Sequence, residues 1–310
     1  MSETTRQYIY GPVPSRRLGR SLGIDLVPFK TCPYDCIYCQ LGKTTNKTIE
    51  RKEWVPLEPL VTQIKDKLRL EPDYITLSGS GEPTLHSKIG QLIIRIKDMT
   101  DIPVAVLTNG SLLWIPEVRK GLLPADLVIP SLDAGSARLF RYVNRPHADI
   151  VFAKMLEGLV KLRDEYAGQI WLETLLLGGV TTVEAELSML SFCIDLIGPD
   201  KVQLNTVTRP PSEDFAGPVP HHQLEHIAKR LHHKAEIIAA CPTAAETKGF
   251  TSNRDDILNL LRRRPCSLED IATGLGIHPN EAAKLVEQLT AAGTVKTEGK
   301  YGMHYCEPSS

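Results

Sequence analysis

The sequence predicts an α/β fold: an open, partial (β/α)6 barrel followed by a small C-terminal winged helix-turn-helix. Three observations predict it. Short β-branched runs alternate with longer segments of helical period, six times between residues 21 and 205, and such alternation builds a parallel sheet. Each run stops at a polar or glycine-rich turn, and six units fall short of the eight that close a barrel. Beyond residue 250 the pattern becomes three short helical stretches and a terminal pair of strands, the order of a winged helix.

Taken in order, Ser21–Val27 reads as a strand running into a cysteine-rich loop, and Pro56–Leu70 as a helix. Tyr74–Leu77 is a strand that ends in Ser-Gly-Ser-Gly-Glu-Pro. His86–Met99 is helical because Ile89, Leu92, Ile93 and Ile96 share one face. Val104–Leu107 is a strand stopping at Thr-Asn-Gly, and Leu127–Ser131 one stopping at Leu-Asp. Helix Ile150–Tyr166, strand Ile170–Leu177, helix Val183–Leu196 and strand Val202–Asn205 complete the six units. Thr206–Pro220 is rich in proline, Pro220–Arg230 reads as a helix, and Ala239–Ser252 as a linker. The expected domains are therefore residues 1–250, with a basic N-terminal extension, and 251–310.

In the second domain Ile257, Leu258 and Leu261 mark a first helix. Ser267-Leu-Glu-Asp forms a capping box at the start of the next. Gly274-Leu-Gly turns the chain into a third helix, Pro279–Ala292, and Thr294–Lys296, Gly299–Gly302 and Met303–Cys306 make a hairpin. Ten apolar residues, Leu268 among them, are expected to form one core there. The third helix carries Lys284 against Glu281 and Glu287, too little positive charge for reading DNA. Protein or peptide docking is the first reading of this unit, RNA the second.

Composition excludes several classes. With 42% hydrophobic and 24% charged residues and no apolar run near 18, the chain reads as globular and cytoplasmic, with no membrane partner. A net charge of -1 gives no general attraction to nucleic acid. Residues 1–52 differ, with nine Lys and Arg against four acids, which fits either a solvated face or an anion-binding role.

Three of the seven cysteines, Cys32, Cys36 and Cys39, lie within eight residues as C-x3-C-x2-C. In a reducing compartment such a loop is a metal site rather than a disulfide framework. Three thiolates can hold three irons of a cubic cluster and leave the fourth open. Structural zinc wants four protein ligands, and the spare candidates, Cys193 and His86, are distant in sequence.

Cys32, Cys36 and Cys39, with Tyr38 just before the last, resemble the motif of the radical S-adenosylmethionine (SAM) enzymes. Gly79-Ser80-Gly81-Glu82-Pro83 is similar to that superfamily's glycine-glycine-glutamate-proline segment, with Ser80 inserted. Thr108-Asn109-Gly110, Ser131-Leu132-Asp133 and Glu173 follow at later strands in the expected order. The resemblance implies a partial barrel of the radical SAM type, a [4Fe–4S] cluster and SAM as cofactors, and reductive cleavage of SAM to a 5′-deoxyadenosyl radical. It implies metal binding by the three cysteines and cofactor binding by Tyr38, Gly79, Gly81, Glu82, Pro83, Asn109, Asp133, Glu173 and Asn205, with Glu82 accepting from the amino group of SAM. It also implies an external electron donor of flavodoxin or ferredoxin type.

Gly11–Gly19 (GPVPSRRLG) and Thr208-Arg-Pro-Pro211 resemble proteins related to wyosine synthase, which modifies tRNA. That enzyme carries cysteines before the first motif and this chain has none, so its reaction is not expected here. The substrate expected is macromolecular, tRNA or a protein or peptide. The alternatives are an iron–sulfur regulatory protein binding DNA through the winged helix, and a zinc-stabilised binding module. Among weaker candidates, Glu173 stands alone in an apolar strand and needs a partner. Arg145 is open between substrate contact and a salt bridge, His147 is expected to face solvent, Lys30 and Lys43 to solvate the loop, and Cys193 to sit in the core.

Overall fold

The computed structural model describes residues 7–231, 234–238, 254–262, 265–275, 277, 279–300 and 303–309. β1 (Ile9–Ser15) and β2 (Gly19–Asp25) form an antiparallel hairpin. A short parallel pair follows in the cysteine loop, β3 (Thr31–Cys32) with β4 (Asn46–Lys47). Then come α1 (Leu57–Leu68), β5 (Tyr74–Ser78), a 3-10 turn at Pro83–Leu85, α2 (Ile89–Lys97), β6 (Val104–Thr108), α3 (Pro116–Leu122) and β7 (Leu127–Pro130). α4 (Ala137–Val143), α5 (Phe152–Glu165), β8 (Gln169–Leu176), α6 (Glu184–Ile197), β9 (Lys201–Thr206), α7 (His221–Leu231) and β10 (Ala235–Ile237) complete the body.

The eight-stranded sheet runs β1-β2-β5-β6-β7-β8-β9-β10. The six expected strands lie side by side in chain order, parallel throughout. Two more extend it. β1 escapes the sequence pattern because Gly11, Pro12 and Pro14 interrupt it, and its register with β2 shifts between Tyr10 and Val13; an edge strand tolerates such residues. β10 has three residues, too few for a period to show.

The helical stripes pack on the sheet as their spacing requires. Ile89, Leu92, Ile93 and Ile96 of α2 are completely buried, each worth about 1.5–3 kcal/mol by removal from water. α2 and α3 cross closely at Gly90 and Gly121, where a Cβ on Gly90 would lie 2.9 Å from the Gly121 Cα. Among the described residues no helix is long and apolar enough to cross a membrane.

The C-terminal unit has three helices, α8 (Arg254–Leu261), α9 (Leu268–Leu275) and α10 (Pro279–Ala291), then the hairpin β11 (Val295–Lys300) and β12 (Met303–Pro308). The capping box forms in both directions: Asp270 N–H donates to Ser267 Oγ and Ser267 N–H to Asp270 Oδ2, each at 3.1 Å. Ile257, Leu261, Ile271, Val286, Leu289 and Val295 share a separate core. Leu268, expected within it, is exposed at the first position of α9. The expected linker Ala239–Ser252 lies outside the described residues, as do Tyr301 and Gly302 of the hairpin turn. The unit rests on the edge of the sheet, with Val13 of β1 packed against its core and Tyr305 Oη donating to the Thr208 carbonyl at 2.9 Å.

Candidate active site

A cavity of about 510 Å³ opens at the C-terminal ends of the parallel strands, the end at which such folds place their chemistry. Cys32, Cys36 and Cys39 line it together with the loop Gly79–Glu82, Asn109, Tyr38, Glu173 and Asn205. The wall of three cysteines follows β2. Its backbone leans on the segment after α4: Asp35 N–H donates to Asn144 O (3.0 Å), Ile37 N–H to Val143 O (2.9 Å) and His147 N–H to Pro33 O (2.8 Å). Tyr34 fixes the loop from below, its ring edge-on to Phe140 at 5.4 Å.

The three thiols are half-buried and unbonded to one another. Burial pushes all three up from the usual cysteine range, so without a metal they are neutral. Each of two has an amide donor aimed at sulfur: Asn109 Nδ2 at Cys32 Sγ (3.2 Å) and Asn144 Nδ2 at Cys36 Sγ (3.4 Å). Such donors have little to gain from a neutral thiol and much from a metal-bound thiolate. The donor set therefore fits a thiolate-held group. Among the described residues no three His, Cys, Asp or Glu side chains gather as on a single ion; a cluster distributes its thiolates over separate irons.

The glycine loop is sewn to the cysteine loop by its backbone. Lys30 N–H donates to Ser80 O (2.6 Å) and Glu82 N–H to Thr31 O (3.1 Å). A Cβ on Gly81 would collide with the Thr31 carbonyl and one on Gly79 with the Asp25 carboxylate, and Gly79 holds φ at +115°. These glycines are required by the approach of protein to protein. Glu82 is buried and its carboxylate takes four donors from the protein: Oε1 accepts from Thr84 N–H (3.0 Å), Thr84 Oγ1 (2.6 Å) and Thr108 Oγ1 (2.6 Å), and Oε2 from Asn109 N–H (2.8 Å). The expected contact with an amino group is thereby narrowed to Oε2, which takes one of the four protein donors. Glu82 ties the ends of β5 and β6 together, and the loop presents backbone to the cavity.

Two further expectations change. Pro83 opens the 3-10 turn behind the loop and does not line the cavity. Asp133 does not reach it either. It is a buried hub that accepts from Tyr38 Oη, from Asn144 Nδ2 (2.7 Å) and from Leu175 N–H (3.0 Å). Through it Tyr38 is fixed at the cavity wall. Glu173 and Asn205 do line the cavity and meet each other, Asn205 Nδ2 donating to Glu173 Oε1 at 3.0 Å. The partner Glu173 needed is Arg17, 2.7 Å away. Burial raises the Glu173 pKa, but Arg17 and the Asn205 bond outweigh it and hold the carboxyl below its ordinary value. Arg16 donates to Asn205 Oδ1 (3.1 Å) and Thr208 Oγ1 (2.7 Å), so part of the basic N-terminal segment is inside the site.

Lys30, expected to solvate the loop, is only 4% exposed. Its Nζ donates to Leu41 O at 2.6 Å, and burial lowers its pKa. Arg145 forms the salt bridge with Glu213, and Cys193 lies in the core as expected. His147 is partly covered and faces Asp149 at 3.5 Å. Sequence reasoning missed Asn144, Tyr34 and Gln40; a lone Asn before Arg-Pro carries no local signal of a site.

The profile described as the radical SAM superfamily matches residues 26–190. A UPF0026 protein of Methanocaldococcus jannaschii is 42% identical over 233 residues, 74% of this chain and 71% of that protein. One from Helicobacter pylori strain J99 is 34% identical over 296 residues, 93% and 94% of the two chains. A Brachyspira hyodysenteriae protein named GTPase Obg is 39% identical over 302 residues, 96% of this chain, which spans only 44% of that protein. Among solved structures, a radical SAM methyltransferase from Sphaerobacter thermophilus superposes with TM-score 0.53 at 17% identity, covering 70% of this chain and 66% of that one. Streptococcus suis SuiB bound to its precursor peptide SuiA gives 0.50 at 14%, covering 68% and 47%. At these identities the two structures establish likeness of fold alone.

Proposed function

The chain belongs to the radical SAM superfamily of enzymes, and on that premise we propose that Cys32, Cys36 and Cys39 bind a [4Fe–4S] cluster whose fourth iron is left open for SAM. The observation that carries this is the shared cavity: three thiols with amide donors aimed at two of them, facing the glycine loop at the C-terminal edge of a parallel sheet. When bound, the cluster supplies the electron that cleaves the C–S bond of SAM to a 5′-deoxyadenosyl radical. The residues of the chain do the rest. Gly79–Gly81 and Asn109 supply a backbone and amide surface for the cofactor. Tyr38, held by Asp133, steadies the cysteine loop, and the Arg17–Glu173–Asn205 network fixes the opposite wall. Leu41, Leu107, Ile129 and Val207 exclude water from the space between.

The sheet and its helices are read as the partial (β/α)6 barrel of the superfamily within residues 1–250, and residues 251–310 as a winged helix-turn-helix. The substrate is read as a macromolecule, tRNA or a protein or peptide. Glu281, Lys284 and Glu287 lie exposed on α10, a charge pattern that favours recruiting a substrate over gripping duplex DNA. Superfamily members need a reductant, proposed here to be of flavodoxin or ferredoxin type, and the reduced thiols suit a cytoplasmic setting. The likeness to wyosine synthase rests on Gly11–Gly19 and Thr208–Pro211; the reaction of that enzyme is not carried over. The test is anaerobic: reduced, iron-reconstituted protein with SAM, followed by chromatography for 5′-deoxyadenosine. Formation is expected. Its absence from protein that carries the cluster and binds SAM would refute the proposal.

A further inference from the structure

Two sequence motifs left unexplained by the cofactor site meet on the far side of the cavity. Arg16 of the Gly11–Gly19 stretch donates to Thr208, and the next residue, Arg209, points into the same cavity. Arg209 is 8% exposed and pairs with Asp270 of α9 through Nη2 at 2.7 Å. Its Nη1 reaches Gln40, the residue after Cys39, at 3.4 Å. Its Nε–H is buried and meets no acceptor. Asp270 meets the guanidinium with Oδ1, while its Oδ2 accepts from Ser267 N–H at the start of α9. A planar guanidinium edge is built for two oxygens at once. An arginine buried in a cavity, held by half a carboxylate and with a donor left over, is a site awaiting a better oxyanion.

We propose that Arg209 anchors an oxyanion of the substrate, a carboxylate or phosphate group, and that Asp270 is its displaceable internal occupant. This rests on reading the cavity as the radical SAM active site. The charges agree. Arg16, Arg17, Lys30 and Arg209 line the cavity against Glu82, Glu173 and Asp270. Glu173 belongs to Arg17 and Glu82 to its neutral donors, so withdrawing Asp270 leaves a positive wall. The location separates this oxyanion from the carboxylate of SAM. The glycine loop adjoins Cys32 through Asn109, whereas Arg209 adjoins the loop beyond Cys39 and the C-terminal unit. A group that must enter and leave at each turnover enters where a displaceable contact closes the cavity. Binding there would loosen the C-terminal unit by removing one of its contacts with the body, beside those of Tyr305 and Val13.

The experiment uses the full chain and inorganic phosphate as the probe, at constant ionic strength against chloride. Asp270→Asn keeps an oxygen for Ser267 N–H but removes the charge from Arg209. Calorimetry is expected to show phosphate bound at least about tenfold more tightly by this variant than by the wild type, and adding Arg209→Gln should abolish the gain. Arg209→Gln alone, which leaves α9 intact, should lose whatever phosphate binding the wild type has. Equal affinity of wild type and Asp270→Asn overturns the proposal. So does a tenfold loss of SAM affinity in Arg209→Gln, which would assign the arginine to the carboxylate of the cofactor. A chain that binds no SAM at all would sink the function proposed above, while the phosphate comparison would still decide this one.

Discussion

The cavity has two walls, and a carboxylate on one is held quite differently from a carboxylate on the other. On the cysteine side Glu82 is held by neutral donors alone, two threonine hydroxyls and two backbone N–H groups. On the arginine side Glu173 is held by a full positive charge, Arg17, with Asn205 beside it. Burial raises the pKa of Glu82 despite its four bonds, while Glu173 ends below its ordinary value. The difference teaches how one site keeps two electrostatic characters. Thiolates bound to metal are already negative, and neutral donors at Glu82 leave Lys30 as the cation of this wall, beside Cys39. The far wall gathers cations and compensates them pairwise, which suits a group that arrives charged.

The largest effect should come from the cysteine wall. Changing Cys32, Cys36 and Cys39 together to Ala is expected to remove all of the roughly four irons per chain, read as loss of visible absorption after anaerobic reconstitution. Full iron retention by the triple variant would place the cluster elsewhere. Next in size is Glu82→Ala. It strands buried donors from Thr84, Thr108 and Asn109 at the ends of two central strands. Unsatisfied buried groups cost about 1–3 kcal/mol each, and partial relaxation should leave a net loss of about 2–4 kcal/mol in urea unfolding. A change below about 0.5 kcal/mol would mean that the neutral wall does not depend on its carboxylate.

The charged wall should respond less to an isosteric change. Glu173→Gln leaves an oxygen for one donor but strips Arg17, itself only 11% exposed in its side chain, of its counter-charge. A loss of about 1–3 kcal/mol is expected. The double variant Glu173→Gln, Arg17→Met should recover part of it, because the stranded charge is then gone. No recovery in the double-variant cycle would show that the pair is not coupled.

How much of this could be read from sequence follows the same division. The six central strands were legible because their apolar runs are continuous and end in Gly, Asn or Asp. The seven-residue helices α3 and α4 passed unnoticed, being too short for a period to show. The cysteine wall was legible because its chemistry lies within eight residues. Glu173 was legible as a lone acid in an apolar strand, though its partner lies 156 residues away. Asn144, aimed at Cys36 across 108 residues, carried no local mark, and Arg209 stood in the Thr208–Pro211 motif with nothing to point to Asp270, 61 residues on. Glu82 lines the cavity, but only the folded chain reveals that four protein donors hold its carboxylate. Local pattern reports which residues are unusual; tertiary contact decides what they hold.

The smallest effect is the most discriminating, because it has opposite signs on the two walls. Glu82 has a folded-state pKa above its ordinary value near 4.5. Its ionised form is therefore penalised in the fold. The stability of the wild type relative to Glu82→Gln should fall as pH rises above about 4.5 and level off past the raised value. Glu173 has a folded-state pKa below 4.5. Its contribution relative to Glu173→Gln should be complete above that pH and be lost as pH falls through the lowered value. Each tenfold change in acidity carries about 1.4 kcal/mol at most, so differences on the order of 1 kcal/mol are expected across pH 3 to 7. Urea unfolding of the wild type and both variants along that range measures them. Difference curves that run parallel would show that the two walls are electrostatically alike and would undo the contrast drawn between them.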